Sequence, residues 1–469
     1  MTDLAVVGAG TMGAGIAESA ALAGLSAIMV DVQDAALARG RETIEKDLGR
    51  RVKRGRLSED QRDEVLGRIS AATSLEACAD VQLVIEAIVE NLEIKQKVFS
   101  DLEGIVPGDA VLATNTSSLS VARIASATEH PERVVGMHFF NPVPAMRLVE
   151  VVAGPATDPS SIHKAMEVTE QLGKTAIEVS DTPGFVVNRV ARPFYLEALR
   201  LVEVGGDPEQ VDAAIRGAGF RMGPLQLADL IGMDINLAVS ESLYERFYYQ
   251  PRFRPSPLQR FMVEAGLLGR KTRQGFYKYD GSSSAADEEE LSQSATPGDV
   301  TVVGDSELAR ALGTEPNGEG LKILALKDET GLAGSGVEVG ARRLTPDSPV
   351  VELVGDVDPE IRDRVEATVR AAGLTPAWTP DLPGGAALRT VAALVNEAFF
   401  TLEERVASAP DIDRAMQLGA NYPKGPLAWA DELGLARILR VLDALREMHG
   451  DSYLAAPLLR RRVAFGNNE

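Results

Sequence analysis

Short apolar runs alternate with helix-like segments through the first part of the chain. The pattern predicts a charged helical stretch over about 34–68. It also predicts buried strands at 4–8, 26–31, 81–88, 110–115, 134–140 and 147–152. Strands that alternate with helical segments favour a parallel, doubly wound sheet with helices on both faces.

The pattern changes after the Pro-Gly at 183–184. Residues 183–280 are mostly helix-like with few strand signals, which indicates an all-α helical domain. The stretch 281–299 is rich in serine, alanine and acidic residues and almost free of bulky apolar ones. That composition is typical of a flexible acidic linker.

The last third of the chain repeats the first part in altered form. Residues 397–434 match 197–232, residues 351–359 match 149–159, and residues 300–313 are similar to 4–17. We therefore expect two unequal copies of one plan. The expected divisions are 1–182, 183–280, 281–299, 300–383 and 384–469.

Composition argues against several kinds of partner and metal site. The 469 residues carry a net charge of −21, which argues against nucleic acid or an anionic membrane as the main partner. One cysteine permits neither an intrachain disulfide nor a cysteine-based zinc site, and no metal is expected. The chain has no long uncharged apolar run and no cationic segment before its first strand, so we expect a cytoplasmic protein.

A glycine-rich turn follows the first strand and opens a helix. The G-x-G-x-x-G spacing permits a tight turn, close approach of backbone to a pyrophosphate, and close helix–strand packing. An acidic residue follows at the end of the second strand, placed to bond ribose hydroxyls, and no arginine stands at 32 or 33, which favours NAD over NADP. The alternative is a plain glycine turn with a solvated aspartate. The residues predicted to contact NAD in this motif are Gly8, Gly10, Thr11, Met12, Gly13 and Asp31. The predicted architecture for residues 1–182 is thus an α/β Rossmann-type domain.

His138, one of four histidines, lies in an apolar run that ends in "NPVP". His138 is six residues before Pro144 and Glu150 is six after it, so a turn between antiparallel strands would place them opposite each other on one face. A carboxylate beside an imidazole fixes its tautomer and stabilises its protonated form, as a catalytic base requires. The alternative is a core histidine bonded to a nearby acid.

Three other polar groups are weaker candidates on their own. The basic run at 50–56 includes Lys53 and Arg56, and suits either a solvated helix face or an anchor for a phosphate-bearing ligand. "ATNTSSLS" (113–120) holds Asn115 and Ser117, and "PGFVVNRV" (183–190) holds Asn188. Taken alone, these stretches are better explained as a helix cap and a solvated amide.

Taken together, "GAGTMGAGIA", "TNTSSLS", "GMHFFNPVPAMRLVEVV", "TPGFVVNRV", "GPLQLADLIGMD" and "GLLGRKTRQGFYKY" resemble the 3-hydroxyacyl-CoA dehydrogenase family over about residues 1–280. The two-copy layout most resembles its bacterial two-copy type, which acts on 3-hydroxyadipyl-CoA or 3-hydroxybutyryl-CoA. The resemblance implies oxidation of an (S)-3-hydroxyacyl-CoA to a 3-oxoacyl-CoA with NAD, in fatty acid β-oxidation or phenylacetate catabolism. It also implies a homodimer or, within this chain, an internal pseudo-dimer of helical domains.

The resemblance assigns roles to particular residues. It implies that His138 is the base, that Glu150 orients it, and that Ser117 and Asn188 bond the reacting part of the substrate. Lys53, Arg56 and Ser117 would contact the CoA ester. Further residues near NAD would be Glu90, Lys95, Asn115, Asn141 and Lys271.

The second copy departs from this pattern. Ser306, Ala309 and Leu388 stand where the first copy has Gly10, Gly13 and Asn188, and no histidine lies between 164 and 448. We expect that nothing replaces His138 there and that this copy neither binds NAD in the usual way nor catalyses.

Two other functions stay open at this point. One is a dehydrogenase of the same architecture that acts on a free 3-hydroxy acid. The other is an NAD-binding protein without turnover. An NADPH-dependent reductase is disfavoured by Asp31.

Overall fold

The computed structural model describes residues 3–279, 300–314 and 320–466. The linker expected at 281–299 lies outside the described residues. The described chain divides into two compact units. The first holds the residues up to Arg189 together with Glu404–Asn421, and the second holds Val190–Glu403 with the residues from Tyr422 onward.

The strands of the described residues form two sheets, one in each unit. The strands are β1 Leu4–Val7, β2 Ala27–Val30, β3 Ile69–Ala72, β4 Leu83–Glu86, β5 Val111–Thr114, β6 Val134–Phe139, β7 Leu148–Ala153, β8 Thr175–Ser180, β9 Val300–Val303, β10 Leu321–Ala325, β11 Val339–Arg342, β12 Val350–Val354 and β13 Thr375–Trp378.

Helices make up most of the remaining described chain. They are α1 Thr11–Leu22, α2 Asp34–Lys53, α3 Glu59–Gly67, α4 Leu92–Glu103, α5 Val121–Ala125, α6 Pro159–Gln171, α7 Val187–Val190, α8 Arg192–Glu203, α9 Pro208–Arg216, α10 Pro224–Ile231, α11 Met233–Arg246, α12 Pro257–Glu264, α13 Ser306–Ala311, α14 Pro359–Ala371, α15 Ala387–Glu403, α16 Ala409–Gly419, α17 Pro426–Leu433, α18 Leu435–His449 and α19 Pro457–Phe465.

The sheet of the first unit has eight strands in the order β3-β2-β1-β4-β5-β6-β7-β8. Neighbouring strands are parallel except β6 and β7, which are antiparallel. This confirms the doubly wound α/β prediction and the antiparallel pairing expected around "NPVP". Val6, Met29, Ile85 and Val151 of the sheet pack with Ile16 of α1 in one buried core.

The stretch predicted to be helical over about 34–68 is helical but interrupted once, and two strands were not predicted. The charged stretch 34–68 is two helices, because Gly55 takes a positive φ of 67° and Ser58 begins α3 with a capping box. Strands β3 and β8 were not anticipated. Each has exposed or partly exposed positions, so their apolar signal is weak.

The second unit contains a smaller sheet and most of the helices. Its five strands run in the order β13-β12-β11-β10-β9, with only β11 and β12 antiparallel. Helix α8 of the first copy packs against α15 of the second. Glu197 of α8 accepts hydrogen bonds from Arg389 of α15 and from Tyr453, all three buried. The two-copy architecture predicted from the internal repeat is confirmed.

Candidate active site

The candidate residues of the first unit gather at the carboxyl ends of its parallel strands. Gly8 follows β1, Asp31 follows β2 and Asn115 follows β5. His138 lies near the carboxyl end of β6. In open α/β sheets ligands bind at this edge, so the topology places the candidates where a site is expected.

Backbone atoms leave no room for a side chain at two glycines of the turn. Gly8 has a φ of 107°, and a Cβ there would lie 2.6 Å from the carbonyl oxygen of Ala87. A Cβ on Gly13 would lie 1.8 Å from the carbonyl oxygen of Gly8. Both glycines are therefore required by packing at the start of α1, where Thr11 is exposed and Met12 half-buried.

Gly10 differs from its two neighbours in the motif. A Cβ at this position would meet no protein atom within 4 Å, so packing does not explain the missing side chain. Gly10 is also the N-cap of α1 and provides no side-chain cap, and the first turn contains no acidic residue. The free N–H groups of a helix N-terminus attract a pyrophosphate, and a glycine permits close approach. These residues fit a dinucleotide.

Asp31 joins the glycine turn to the end of β2. Its Oδ2 accepts a hydrogen bond from Ala9 N at 3.0 Å, and its Oδ1 accepts one from Gln33 N at 3.0 Å. A carboxylate has about four acceptor positions, so two remain for ribose hydroxyls.

His138 and Glu150 face each other across the β6–β7 pair, as their spacing predicted. His138 Nδ1 lies 2.7 Å from Glu150 Oε2, and both side chains are buried. A carboxylate only accepts hydrogen bonds, so Nδ1 carries the proton and Nε2 of the neutral ring keeps its lone pair. Among the described residues Nε2 has no hydrogen-bond partner, which leaves it available as a base.

Two aromatic rings restrict the imidazole. The Phe140 ring centroid lies 4.5 Å and the Phe185 centroid 5.7 Å from that of His138, each inclined at 56°. Packing of this kind limits ring rotation about the hydrogen bond to Glu150.

The second oxygen of Glu150 fixes the entry to α7. Glu150 Oε1 accepts hydrogen bonds from Val186 N at 2.9 Å and Val187 N at 3.0 Å. The half-buried Asn188 is the next residue of that helix. One carboxylate therefore positions the ring of His138 and the helical turn that carries Asn188.

A polar network surrounds Ser117, which is exposed. Glu90 Oε1 accepts hydrogen bonds from Thr116 Oγ1 at 2.5 Å, from Ser118 Oγ at 2.8 Å and from Ser117 N at 3.3 Å. Burial alone would raise the pKa of Glu90, but the bond from Thr116 and the charge of Lys95 outweigh it and hold the pKa below its usual value. Glu90 is thus an anion that shapes the Ser117 turn.

Lys95 and Asn115 support this turn and the end of β6. The buried Lys95 Nζ lies 2.6 Å from Glu86 Oε1 and 3.3 Å from Glu90 Oε2, so its charge is directed at these two carboxylates. Asn115 Oδ1 accepts a hydrogen bond from Phe139 N at 2.8 Å. That bond connects β5 to the residue that follows His138.

The basic residues predicted to meet a CoA phosphate lie at and beyond the end of α2. Arg50 and Arg51 pair with Asp47. Lys53 and Arg56 are exposed and have no acidic partner among the described residues. Asn141, exposed in the turn after β6, precedes a cis proline.

Lys271 belongs to the second unit. There it pairs with Asp234, at the start of α11.

The second copy contains an arrangement that the sequence analysis did not foresee. In the β11–β12 pair Arg342 faces Glu352, just as His138 faces Glu150 in β6–β7. Glu352 accepts hydrogen bonds from Ala386 N at 2.6 Å and Ala387 N at 3.0 Å, as Glu150 does from Val186 and Val187. A buried arginine thus occupies the register position of His138. A guanidinium stays protonated and cannot accept a proton, so the expectation that no base replaces His138 stays a prediction.

Several supporting residues were missed. Phe140, Phe185 and Glu86 were not identified, although Glu86 lies within the predicted buried strand 81–88, where an acid is unusual. Lys174 was also missed. Its Nζ donates to Val143 O at 2.6 Å and Met146 O at 2.8 Å, which holds the turn after Asn141. Burial, helped by the charge of Arg51, lowers the pKa of Lys174 to about 8.

No cluster of three or more His, Cys, Asp or Glu side chains suited to a metal ion is present among the described residues. None of the helices in that part of the chain has the length and apolar character needed to cross a bilayer.

Comparison with family models gives matches over most of the chain. Residues 3–182 match the model described as 3-hydroxyacyl-CoA dehydrogenase, NAD binding domain. Residues 184–279 and 384–469 both match the model described as 3-hydroxyacyl-CoA dehydrogenase, C-terminal domain. The second match agrees with the internal repeat.

Comparison with individual proteins agrees. The chain is 42% identical to 3-hydroxyadipyl-CoA dehydrogenase of Escherichia coli K12, covering 98% of this chain and 97% of that protein. It is 44% identical to 3-hydroxybutyryl-CoA dehydrogenase of Bradyrhizobium diazoefficiens, over 59% of this chain and 95% of that one. The crystal structure of 3-hydroxybutyryl-CoA dehydrogenase from E. coli K12 matches with a TM-score of 0.84 and 39% identity, covering 99% of this chain and 98% of that one. The chain belongs to the 3-hydroxyacyl-CoA dehydrogenase family, NAD-dependent oxidoreductases that act on a CH–OH group.

Proposed function

We propose that the first unit carries the dehydrogenase site and that the physiological substrate is a dicarboxylic (S)-3-hydroxyacyl-CoA, 3-hydroxyadipyl-CoA. The observation that carries the catalytic assignment is the 2.7 Å contact of His138 Nδ1 with Glu150, which leaves Nε2 free at the edge of the sheet that bears the glycine turn. This geometry prepares a base beside a dinucleotide site.

The His138–Glu150 pair performs the proton transfer. His138 Nε2 accepts the proton of the C3 hydroxyl, and the ring becomes an imidazolium. Glu150 holds Nδ1–H throughout and balances the new positive charge, which lowers the barrier to proton removal. NAD⁺ would supply the acceptor for the hydride that leaves C3, and loss of this hydride together with the hydroxyl proton converts the C3 alcohol into the carbonyl of a 3-oxoacyl-CoA.

Ser117 and Asn188 orient the substrate in this proposal. Ser117 is exposed on a turn that Glu90 fixes by accepting hydrogen bonds from Thr116, Ser117 and Ser118. Asn188 follows the turn of backbone held by Glu150. Both can donate hydrogen bonds to substrate oxygens, which favours the geometry for transfer at C3.

The cofactor and the CoA ester are assigned to separate groups of residues. The glycine turn, Asp31 and Asn115 would contact NAD, with Asn141 in a supporting contact. Lys95 acts through Glu90. Lys53 and Arg56 would anchor the CoA phosphates, since both are exposed cations without an acidic partner among the described residues.

The acyl specificity rests on the relatives. The E. coli relative named for 3-hydroxyadipyl-CoA spans both copies at 42% identity. The second candidate substrate is 3-hydroxybutyryl-CoA, which the matching E. coli crystal structure and the single-copy relatives name. The phenylacetate-type pathway follows from the first choice and fatty acid β-oxidation from the second.

The organisation of the chain is also part of the proposal. We assign 1–182 to the NAD-binding domain, 183–280 and 384–469 to helical domains, 281–299 to the linker and 300–383 to a degenerate domain. The packing of α8 against α15 supports an internal pseudo-dimer of helical domains. The second copy would bind no NAD, since its described sheet lacks counterparts of β2 and Asp31. NAD and CoA esters are intracellular compounds, which supports a cytoplasmic location.

NADH formation with a matched substrate set tests the proposal. The set is 3-hydroxyadipyl-CoA, 3-hydroxyhexanoyl-CoA of equal chain length without the second carboxylate, 3-hydroxybutyryl-CoA and free 3-hydroxybutyrate. We expect NADH only from CoA esters and the highest kcat/KM with the adipyl ester. A preference for the hexanoyl or butyryl ester refutes the dicarboxylic assignment alone. Turnover of the free acid, or NAD binding without turnover, refutes the CoA ester or the enzyme assignment.

A further inference from the structure

A short segment of the second copy is part of the first unit. Residues Glu404–Asn421 belong there, although the rest of the described second copy lies in the second unit. Helix α16 of this segment packs against β7 and β8. Strand β7 carries Glu150.

Hydrogen bonds join the segment to the end of β8 and to α7. Ser180 N, at the end of β8, donates to Val406 O at 2.8 Å, and Ser180 Oγ donates to Arg405 O at 3.2 Å. Arg189 follows Asn188 on α7 and is fully buried, and its guanidinium donates to Glu404 Oε2 at 2.7 Å. The segment therefore contacts the residue next to Asn188.

Gly419, the last residue of α16, leaves no room for a side chain. A Cβ at this position would lie 2.7 Å from Leu148 Cδ2 and 2.9 Å from Val187 Cγ2. Leu148 begins the strand that carries Glu150, and Val187 donates its N–H to Glu150. The end of α16 therefore packs closely against β7 and the start of α7, the two elements that the Glu150 carboxylate joins.

The second unit contains the matching contact. There α9, the counterpart of α16 in the first copy, packs against β12 and β13. A Cβ on Gly217 would lie 2.9 Å from Val350 Cβ, at the start of the strand that carries Glu352. That contact supports a glutamate that faces an arginine, so it provides a control of the same kind without a catalytic histidine.

We infer that Glu404–Asn421 is a positioning element of the dehydrogenase site. It fixes β7 and α7 so that Glu150 holds His138 and the turn before Asn188 in the geometry for proton transfer. The second copy therefore contributes to catalysis through Gly419 and Glu404, although its own sheet has no histidine among the described residues. The inference rests on the proposed function of the first unit.

The test compares three variants of the full chain. Gly419→Ala and Glu404→Gln disturb the segment, and Gly217→Ala disturbs the matching contact in the second unit. Measured are kcat, KM for the CoA ester, the Kd of NAD, Tm and the amide exchange of Val186 and Val187.

We expect Gly419→Ala to lower kcat about 10- to 100-fold, as a small misplacement of catalytic groups does. Glu404→Gln should act in the same direction, and the Kd of NAD should change less than about twofold, since the glycine turn lies at β1. Gly217→Ala should lower Tm about as much as Gly419→Ala does, and it should leave kcat unchanged. Adding Leu148→Val to Gly419→Ala removes the nearest clashing carbon and should recover part of kcat.

The inference is overturned if Gly419→Ala and Gly217→Ala have equal kcat. It is also overturned if Gly419→Ala weakens NAD binding in parallel with its loss of kcat. The amide protection of Val186 and Val187 is read without turnover, and we expect it to fall only in the segment variants. If the amide protection of Val186 and Val187 is unchanged in the segment variants, the inference is overturned, whether or not the protein turns over substrate. A wild-type protein that oxidises no CoA ester would separately refute the proposed function.

Discussion

Arg342 lies opposite Glu352 in the second sheet, just as His138 lies opposite Glu150 in the first sheet. Each glutamate accepts hydrogen bonds from two backbone N–H groups, Glu150 at the start of α7 and Glu352 at the start of α15. The anchoring of the helix therefore persists in a copy without the histidine. Glu150 has two separable functions, one that fixes the fold and one that serves the base.

The first prediction separates these two functions with a matched pair of substitutions. Glu150→Gln keeps an acceptor for Val186 and Val187 but turns an amide NH₂ toward Nδ1–H of His138. The ring must then change tautomer, and we expect kcat to fall about 10²-fold or more. Glu352→Gln should leave kcat unchanged. Steady-state NADH formation by both variants measures the difference, and equal losses would contradict it.

The second prediction concerns the glycine turn. Gly10→Ala adds a methyl that meets no protein atom within 4 Å, so Tm should not change while the Kd of NAD rises. Gly13→Ala places its methyl 1.8 Å from Gly8 O, so we expect a clear loss of Tm. Thermal denaturation without NAD and titration with NAD give both values. An unchanged Kd for Gly10→Ala would refute the placement of the pyrophosphate.

The third prediction tests the CoA anchor. Replacing Lys53 and Arg56 by serine should raise KM for a CoA ester about tenfold at low salt and less at high salt, because exposed charges are screened. The control replaces Arg41 and Lys46, which pair with Glu45 and Glu42 on the same helix. It changes the net charge equally and should leave KM alone. An equal rise in both would indicate a general charge effect.

The fourth prediction concerns Glu18, buried on α1. Burial, helped by Asp47, raises its pKa from 4.5 to about 8. Between these values the folded protein binds more protons here than the unfolded chain, so the free energy of unfolding falls as pH rises. Glu18→Gln removes this dependence.

We therefore expect Glu18→Gln to raise Tm above the wild-type value at about pH 8.5 and to change it little at about pH 5. Glu42→Gln, at an exposed carboxylate whose pKa is lowered by the hydrogen bond from Lys46, is the control and should not raise Tm. Tm values measured across this pH range decide the prediction. An equal change at both pH values would contradict it.

Local sequence patterns predicted much of the first unit. The strands and the glycine turn depend on neighbouring residues, and the His138–Glu150 pairing followed from equal spacing about Pro144. Arg342 was missed because its separation from Glu352 is shorter and its residue type differs. The association of Gly419 with Leu148 joins residues far apart in the chain, and no local pattern reports such a contact.

The most direct test of the account is the rate of NADH formation by His138→Ala beside the wild-type protein, with a 3-hydroxyacyl-CoA at saturation and NAD binding measured on both. We predict a loss of about 10²-fold or more in kcat with an unchanged Kd of NAD. A variant that keeps the wild-type kcat would contradict the assignment of His138 as the base.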